Sequence, residues 1–244
     1  KSQFFYAFKC NDFPFIVKTL KEEGLYADVS GLFELELALK LGFEKIIFTG
    51  PGKSLEELYL ALENSSKVVL NLDNFDELLA IQSLLDKKND KSSKIDVSFR
   101  INTNPKTMQK WTKFGFRLDE ITEIVSLIKK DNRLNWAGVH FHCSWNKTPE
   151  KYLKNIEEIG KHLKAHFEQA ELDKLKFLDI GGGFYPENIG ILHKNQGKGL
   201  LIEIAKDYEE FSETYYQKFN FEPSNFSIQQ VEPLEKFAKE ISES

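Results

Sequence analysis

Eight short apolar runs alternate along this chain with longer segments that have helical periodicity. The runs have the composition of buried strands: FFYAFKC, LYADV, KIIFTG, KVVLNLD, DVSFRIN, WAGVHFHC, KFLDIGGG and NFSIQQVE. Repeated strand–helix units of this kind predict a parallel sheet covered by helices. A closed barrel has eight strands and about 250 residues. Because the chain has 244 residues, we predict one α/β domain, a (β/α)8 TIM barrel. A doubly wound open sheet is the alternative.

The segments between the runs carry apolar residues at helical spacing. After the second run, Leu32, Leu35, Ala38 and Leu39 share one face, and Gly42 follows as a C-terminal stop. Before the last run, a second stripe predicts an acidic helix. Its members are Leu201, Ile204, Ala205, Tyr208, Phe211 and Tyr215.

Composition limits the class of function. The net charge of −5 argues against a nucleic-acid surface, and no apolar run approaches the ~20 residues of a membrane span. The two cysteines, Cys10 and Cys143, have no metal-ligand spacing and make no disulfide framework, so no metal site is predicted. We therefore expect a cytoplasmic protein whose partner is a small molecule.

Polar residues and glycines stand at the ends of the predicted strands, where a barrel places its active site. They are Lys9, Asp28, Gly50, Asp73, Arg100, His142, Gly181 to Gly183 and Glu232. The three glycines favour a phosphate site, because their backbone N–H groups come close to a ligand. Taken alone, they equally predict a flexible turn between a strand and a helix.

Two histidines alternate in GVHFHC and point to the same side of a strand. His140 is predicted as a buried, hydrogen-bonded core residue, and His142 as a ring that lies on a flat ligand. Glu232 precedes Pro233 at the end of the eighth run. An acidic residue in such a place often serves only as the partner of a helix N-terminus.

The set matches the needs of pyridoxal 5'-phosphate. Its aldehyde needs a lysine amine, its phosphate needs backbone donors, and its ring needs a stacking partner. Its ring nitrogen needs a carboxylate that keeps it protonated. Lys9, the glycine run, His142 and Glu232 are the candidates.

In this order the motifs resemble those of the fold-type III pyridoxal-phosphate decarboxylases, whose barrel is of the alanine racemase N-terminal type. FYAFKCN is similar to the family's first-strand motif YAVKAN, and ADVSGLFELELALKLGF to the next segment, with Asp28 and Glu34 at acidic positions. FRIN followed by TKFGF resembles the family's fifth strand and its mobile loop, and this resemblance assigns Arg100 and Lys113 to family site positions. GVHFHCSWN, LDIGGGF and VEP resemble the remaining site motifs.

The resemblance implies decarboxylation of a basic or polyamine-related amino acid, of the diaminopimelate, ornithine, lysine, arginine or carboxynorspermidine class. It implies Lys9, His142 and Glu232 as catalytic residues. The cofactor-binding residues that it implies are Lys9, Asp28, Arg100, His142, Gly181, Gly182, Gly183 and Glu232. It places the barrel at residues 1–235 and a tail at 236–244, which leads toward a second, β-rich domain absent from this chain. It implies a homodimer for the full-length protein.

Two motifs depart from the family pattern. CSWN has Ser144 and Trp145 where most members have Gly-Ser, and EPLE has Leu234 and Glu235 where they have Gly-Arg. The altered motifs leave open a catalytically impaired barrel that binds the cofactor and acts as a regulatory module. An amino-acid racemase on the same barrel is the other alternative, and Glu232 argues against it because racemases pair the ring nitrogen with an arginine.

Overall fold

The computed structural model describes residues 2–88, 94–103, 114–144, 146–184, 188–192, 200–203 and 226–243. They fall into two compact units. The first comprises Lys1–His142 and His162–Ile180, and the second comprises Cys143–Lys161 and Gly181–Ser244. In the described part of the chain, no helix is both long enough and apolar enough to span a membrane.

The first unit contains a seven-stranded parallel sheet in which each strand pairs with the next one along the chain. Its strands are β1 Phe5–Ala7, β2 Tyr26–Val29, β3 Ile46–Phe48, β4 Val68–Leu72, β5 Ile95–Ile101, β6 Leu134–Phe141 and β7 Phe177–Asp179. They coincide with the first seven predicted runs. This sequential order is that of a (β/α)8 barrel, because a doubly wound sheet reverses its strand order at a switch point.

Helices connect these strands in the expected places. They are α1 Pro14–Glu22, α2 Leu32–Lys40, α3 Leu55–Glu63, α4 Phe75–Lys88, α5 Ile121–Lys130, α6 Glu150–His166 and α7 Gln169–Leu172. Short 3-10 turns lie at Phe8–Cys10 and Leu118–Glu120. In α2, Leu35 and Ala38 are fully buried, and Gly42 has a φ of 73° just after the helix. The predicted apolar stripe and C-terminal stop of α2 are therefore confirmed.

The core of the first unit consists of near-continuous apolar strands. Phe48, Leu70, Phe99 and Val139 are all buried, as expected for strands of a parallel sheet that are covered on both faces. This burial leaves the strand ends and the loops after them as the places where polar side chains collect.

The second unit contains a three-stranded antiparallel sheet with β8 Asn188–Leu192 between β9 Leu200–Glu203 and β10 Phe226–Gln230. The last helix, α8, is Leu234–Glu243. The eighth predicted strand is therefore a strand, β10, but it pairs antiparallel with β8. β8 was not among the predicted strands, so β10 had no predicted antiparallel partner.

The predicted acidic helix before the last strand differs from the structure at its start. Leu201 lies in β9 rather than in a helix. The run GLLIE is short and apolar, and periodicity alone does not separate a strand from a helix in such a run. The other residues of that stripe, from Ile204 to Tyr215, lie outside the described residues.

Candidate cofactor site

Lys9 lies in the 3-10 turn directly after β1, where its side chain is exposed. The preceding Phe8 is buried and its ring meets that of Phe43 at 5.6 Å between centroids. The buried phenylalanine thus anchors the turn in the core and leaves the lysine amine outside it. The predicted place of Lys9, at the open end of the first strand, is confirmed.

Asp28 lies near the end of β2, the strand that neighbours β1, and it pairs there with Ala7 of β1. Thr49 Oγ1, just past β3, donates a hydrogen bond to Asp28 Oδ1 at 2.5 Å. Burial raises the pKa of Asp28, while the Thr49 hydrogen bond and the Lys9 charge act in the opposite direction. Asp28 is therefore a half-buried carboxyl group in the electrostatic field of Lys9.

Arg100, the penultimate residue of β5, has its guanidinium 5.3 Å from the centroid of the Phe114 ring. Burial lowers the pKa of Arg100, and the carboxylates of Asp73 and Asp179 oppose that shift. The backbone is tight here as well: Phe116 N–H donates to Arg100 O at 2.8 Å. Arg100 is thus a cation that lies over the Phe114 ring and in the electrostatic field of two carboxylates.

His142 follows directly after β6 and is half-buried. Burial lowers its pKa to about 4, with the charges of Arg100 and Lys9 as further causes. At neutral pH its imidazole is therefore uncharged, which suits a ring that stacks on a flat ligand. Lys9 and Arg100 therefore each act electrostatically on His142.

His140 is buried, and its Nδ1 lies 2.8 Å from Asp179 Oδ2 at the end of β7. The prediction of a buried core histidine is confirmed, but within the described residues His140 Nδ1 forms no hydrogen bond of good geometry. Asp179 also acts electrostatically on Asp28, Arg100 and His142. Sequence reasoning did not single out Asp179 or Thr49, although both stand at strand ends.

A buried ion pair connects the loop after β3 to the first turn of α4, and sequence reasoning missed it. Lys53 Nζ lies 3.0 Å from Glu77 Oε2, with side chains only 1% and 4% exposed. Lys53 Nζ also donates to Asn71 O at 2.6 Å. Glu77 accepts hydrogen bonds from the backbone N–H groups of Gly52 and Asp73. A buried pair needs such additional partners. The sequence feature that could have indicated this pair is the presence of polar residues just after two neighbouring strands, β3 and β4.

The glycine loop, Gly181 to Gly183, belongs to the second unit. Gly181 has a φ of 69° and Gly183 a φ of 102°. A Cβ atom on Gly183 would lie 2.5 Å from Cys143 O, whereas one on Gly182 would meet nothing within 4 Å. These positive φ angles favour glycine at both positions. The open side of Gly182 leaves room for a ligand to approach the backbone.

Glu232 lies between β10 and α8, and its N–H donates to Lys147 O at 2.9 Å. Its carboxylate lies 2.9 Å from Lys236 Nζ, one helical turn further along the chain. Its position just before α8 also fits the alternative role of a carboxylate at a helix N-terminus. A role of Glu232 toward a ring nitrogen stays a prediction.

The described residues fit pyridoxal phosphate on three observations. In the first unit, the Lys9 amine is exposed at a strand end and the lowered pKa of His142 favours an uncharged imidazole at pH 7. In the second unit, taken by itself, a Cβ on Gly182 would meet only open space. Ser144 is exposed. Lys113 and Trp145 lie outside the described residues.

Comparisons with known proteins bear on the same segments. Residues 1–226 match the family model described as "Pyridoxal-dependent decarboxylase, pyridoxal binding domain". A diaminopimelate decarboxylase of Campylobacter jejuni is 32% identical over 250 aligned positions, which cover 90% of this chain and 61% of that protein. An ornithine decarboxylase of Schizosaccharomyces pombe is 29% identical, over 83% of this chain and 44% of that protein.

A solved structure is also similar to this one. The crystal structure of diaminopimelate decarboxylase from Helicobacter pylori complexed with L-lysine aligns with a TM-score of 0.64 at 28% identity, covering 91% of this chain and 55% of that chain. The chain spans about half the length of the curated relatives it matches. Together with the seven sequential parallel strands, these matches confirm the predicted barrel type and the pyridoxal phosphate cofactor. The chain belongs to the pyridoxal-dependent decarboxylases and matches their pyridoxal binding domain.

Proposed function

We propose that the protein containing this chain decarboxylates a basic or polyamine-related amino acid, of the diaminopimelate, ornithine, lysine, arginine or carboxynorspermidine class. One observation carries the proposal: an exposed Lys9 shares its surroundings with the Asp28 carboxyl group and with a neutral His142. The names of the relatives support a decarboxylase over a racemase, and diaminopimelate and ornithine as the first substrates to test.

In this proposal, different residues of this chain bind different parts of the cofactor. Lys9 presents the amine for its aldehyde, His142 a neutral face for its ring, and Gly181 to Gly183 the backbone donors for its phosphate. Arg100 and Asp28 supply fixed charges at the same strand ends, and we assign Glu232 to the ring nitrogen. When bound, pyridoxal phosphate supplies the electron sink for the carbanion that remains after CO2 leaves.

Charge and position set what these groups do toward a substrate. Arg100 is a cation that acts on His142, so an α-carboxylate that enters this region would be attracted to Arg100. The low pKa of His142 keeps its ring from adding another positive charge at neutral pH. Orienting one bond of the substrate relative to the cofactor is how a protein selects decarboxylation over racemisation.

A catalytically impaired barrel that still binds the cofactor is the second candidate. The ion pair between Glu232 and Lys236 favours it, because a carboxylate engaged at 2.9 Å by an ammonium group is less available to a ring nitrogen. An active decarboxylase and a catalytically impaired barrel differ in turnover, so one assay of CO2 release separates them.

The test is release of CO2 from diaminopimelate, ornithine, lysine, arginine and carboxynorspermidine by the protein as it occurs naturally, with pyridoxal phosphate added. We expect CO2 release from at least one of them, abolished by Lys9→Ala and retained by Lys18→Ala, a change at an exposed lysine of α1. Cofactor binding without CO2 release from any of these amino acids would favour the impaired barrel.

Three further assignments belong to this proposal. We assign residues 1–235 to the cofactor-binding barrel and residues 236–244 to a segment leading toward a second domain. We also propose a homodimer in the cytoplasm. The free thiols of Cys10 and Cys143 support a reducing cytoplasm, and the exposed Phe13, Phe33 and Leu55 at the starts of helices support an interface with a second copy. Sedimentation of the full-length protein would test the dimer.

A further inference from the structure

Tyr152, on α6, has a hydroxyl group that reaches the glycine loop. The side chain is fully buried, at 0% exposure, and its hydroxyl donates a hydrogen bond to Gly182 O at 2.8 Å. Burial raises the pKa of Tyr152, so the hydroxyl stays protonated and remains a donor. A buried hydroxyl is costly unless it is hydrogen-bonded, and here its acceptor is a carbonyl of the loop.

Asn146 supports the same hydroxyl from the other side. Its Nδ2 donates to Tyr152 Oη at 3.0 Å and to Cys143 O at 2.8 Å. The asparagine is 1% exposed, and its Oδ1 has no hydrogen-bond partner in the described part of the chain. Because hydrogen bonds in a chain polarise one another, the Asn146 donor strengthens the bond from Tyr152 to Gly182.

Aromatic packing fixes the position of the Tyr152 ring. The ring stacks on Phe184, just after the glycine loop, with centroids 5.1 Å apart and planes at 14°. Phe237 of α8 meets it edge-on at 6.2 Å and also meets Phe184 at 5.5 Å. These ring contacts hold the Tyr152 hydroxyl in a fixed position.

In a planar trans peptide, the direction of the Gly182 carbonyl fixes the direction of the following N–H group, that of Gly183. The carbonyl of Gly182 and the N–H of Gly183 belong to one planar unit and point in opposite directions. Because the carbonyl points to Tyr152, the Gly183 N–H is directed away from it. The chain has no cis peptide bond among the described residues.

We propose that Tyr152, supported by Asn146, is a positioning residue that turns the Gly182–Gly183 peptide so that its N–H faces the phosphate of the cofactor. The inference rests on the cofactor role assigned to the glycine loop under the proposed function. It also gives a physical reason for the buried hydroxyl of Tyr152. The supporting residue, Asn146, directly follows Ser144 and Trp145, which depart from the family pattern.

The test compares two ligands that differ only in the phosphate. Dissociation constants for pyridoxal phosphate and for pyridoxal are measured by cofactor absorbance with the unmutated protein, Tyr152→Phe and Tyr59→Phe. Tyr59 is a matched control, since it is 54% exposed on α3. We expect Tyr152→Phe to weaken pyridoxal phosphate about tenfold, to leave pyridoxal within about twofold, and Tyr59→Phe to change neither.

Tyr152→Phe keeps the ring contacts, and its melting temperature is measured alongside to show that the fold is retained. Asn146→Ala removes the supporting donor and should weaken pyridoxal phosphate in the same selective way, by a smaller factor. An unchanged affinity of Tyr152→Phe for pyridoxal phosphate, or an equal loss for both ligands, would overturn the inference. Failure of the unmutated protein to bind pyridoxal phosphate would overturn the cofactor role itself.

Discussion

Gly182 and Gly183, which follow β7, have different surroundings. Substitutions at the two positions should therefore affect folding stability and cofactor binding differently. A Cβ on Gly183 would lie 2.5 Å from Cys143 O at a φ of 102°, whereas a Cβ on Gly182 would meet nothing within 4 Å. We expect Gly183→Ala to lower the free energy of unfolding by about 1 to 3 kcal/mol. We expect Gly182→Ala to leave it within about 0.5 kcal/mol and to weaken pyridoxal phosphate binding.

Urea denaturation and cofactor titration of the two variants measure these effects. If Gly182→Ala bound the cofactor as tightly as the unmutated protein, the open side of Gly182 would not be where the phosphate approaches. Equal destabilisation by both substitutions would contradict the geometry of the loop.

The lowered pKa of His142 makes a prediction about acid stability. The group titrates near 6.5 when unfolded and at about 4 when folded, so the unfolded chain binds the proton at higher pH. Its contribution to stability is fully present above about pH 6.5 and is lost as the pH falls toward 4. Between pH 7 and pH 5, the unmutated protein should lose about 1 to 2 kcal/mol more unfolding free energy than His142→Gln.

Urea denaturation of both proteins at the two pH values checks this difference, and comparing them removes the titration of the other groups. Equal losses would mean that His142 titrates normally in the folded protein and does not present a neutral ring at neutral pH.

At the residue scale, position in the strand pattern was predictable and contacts between distant side chains were not. Lys9, Asp28, Arg100 and His142 stand at the ends of parallel strands, and parallel strands bring their ends to one edge of a sheet. Tyr152 reads as an ordinary apolar position of a helix in the sequence. Its hydrogen bond to Gly182, 30 residues along the chain, depends on packing that no local pattern encodes.

At the scale of elements, the ion pair between Lys53 and Glu77 joins the loop after β3 to the first turn of α4. Removing one partner leaves a buried charge without compensation, so Lys53→Met should lower the free energy of unfolding by about 3 to 5 kcal/mol. Lys53→Met combined with Glu77→Leu should recover much of that loss, because neither charge remains buried.

The control is Lys161→Met, which breaks an exposed pair with Glu157 on α6 and should change stability by less than about 1 kcal/mol. Urea denaturation of the three variants provides the comparison. A loss for Lys53→Met no larger than that for Lys161→Met would show that the buried pair does not hold the loop after β3 to α4.

The type of an element was predictable where periodicity persisted over several turns, as in α2. It failed where an apolar run was short, as in β9, which the sequence analysis assigned to a helix. The partner of β10 was also missed, because pairing of β10 with β8 crosses the 33 residues between Leu192 and Phe226, and strand periodicity carries no information about a distant partner.

At the scale of the whole molecule, the order of motifs along the chain predicted both the barrel and the cofactor. The seven parallel strands and the family match bear this out. The substrate could not be predicted in the same way. The chain spans about half the length of its relatives, and the resemblance places part of the substrate-binding surface in their second domain.

The central claim is that Lys9 holds pyridoxal phosphate, and chemical trapping tests it most directly. The protein is incubated with pyridoxal phosphate, reduced with borohydride, which fixes the carbon–nitrogen bond between an amine and the aldehyde, and digested for peptide mass spectrometry. We expect the pyridoxyl phosphate group on the peptide that contains Lys9. Labelling of another lysine while Lys9 stays unmodified, or no label at all, would contradict the claim.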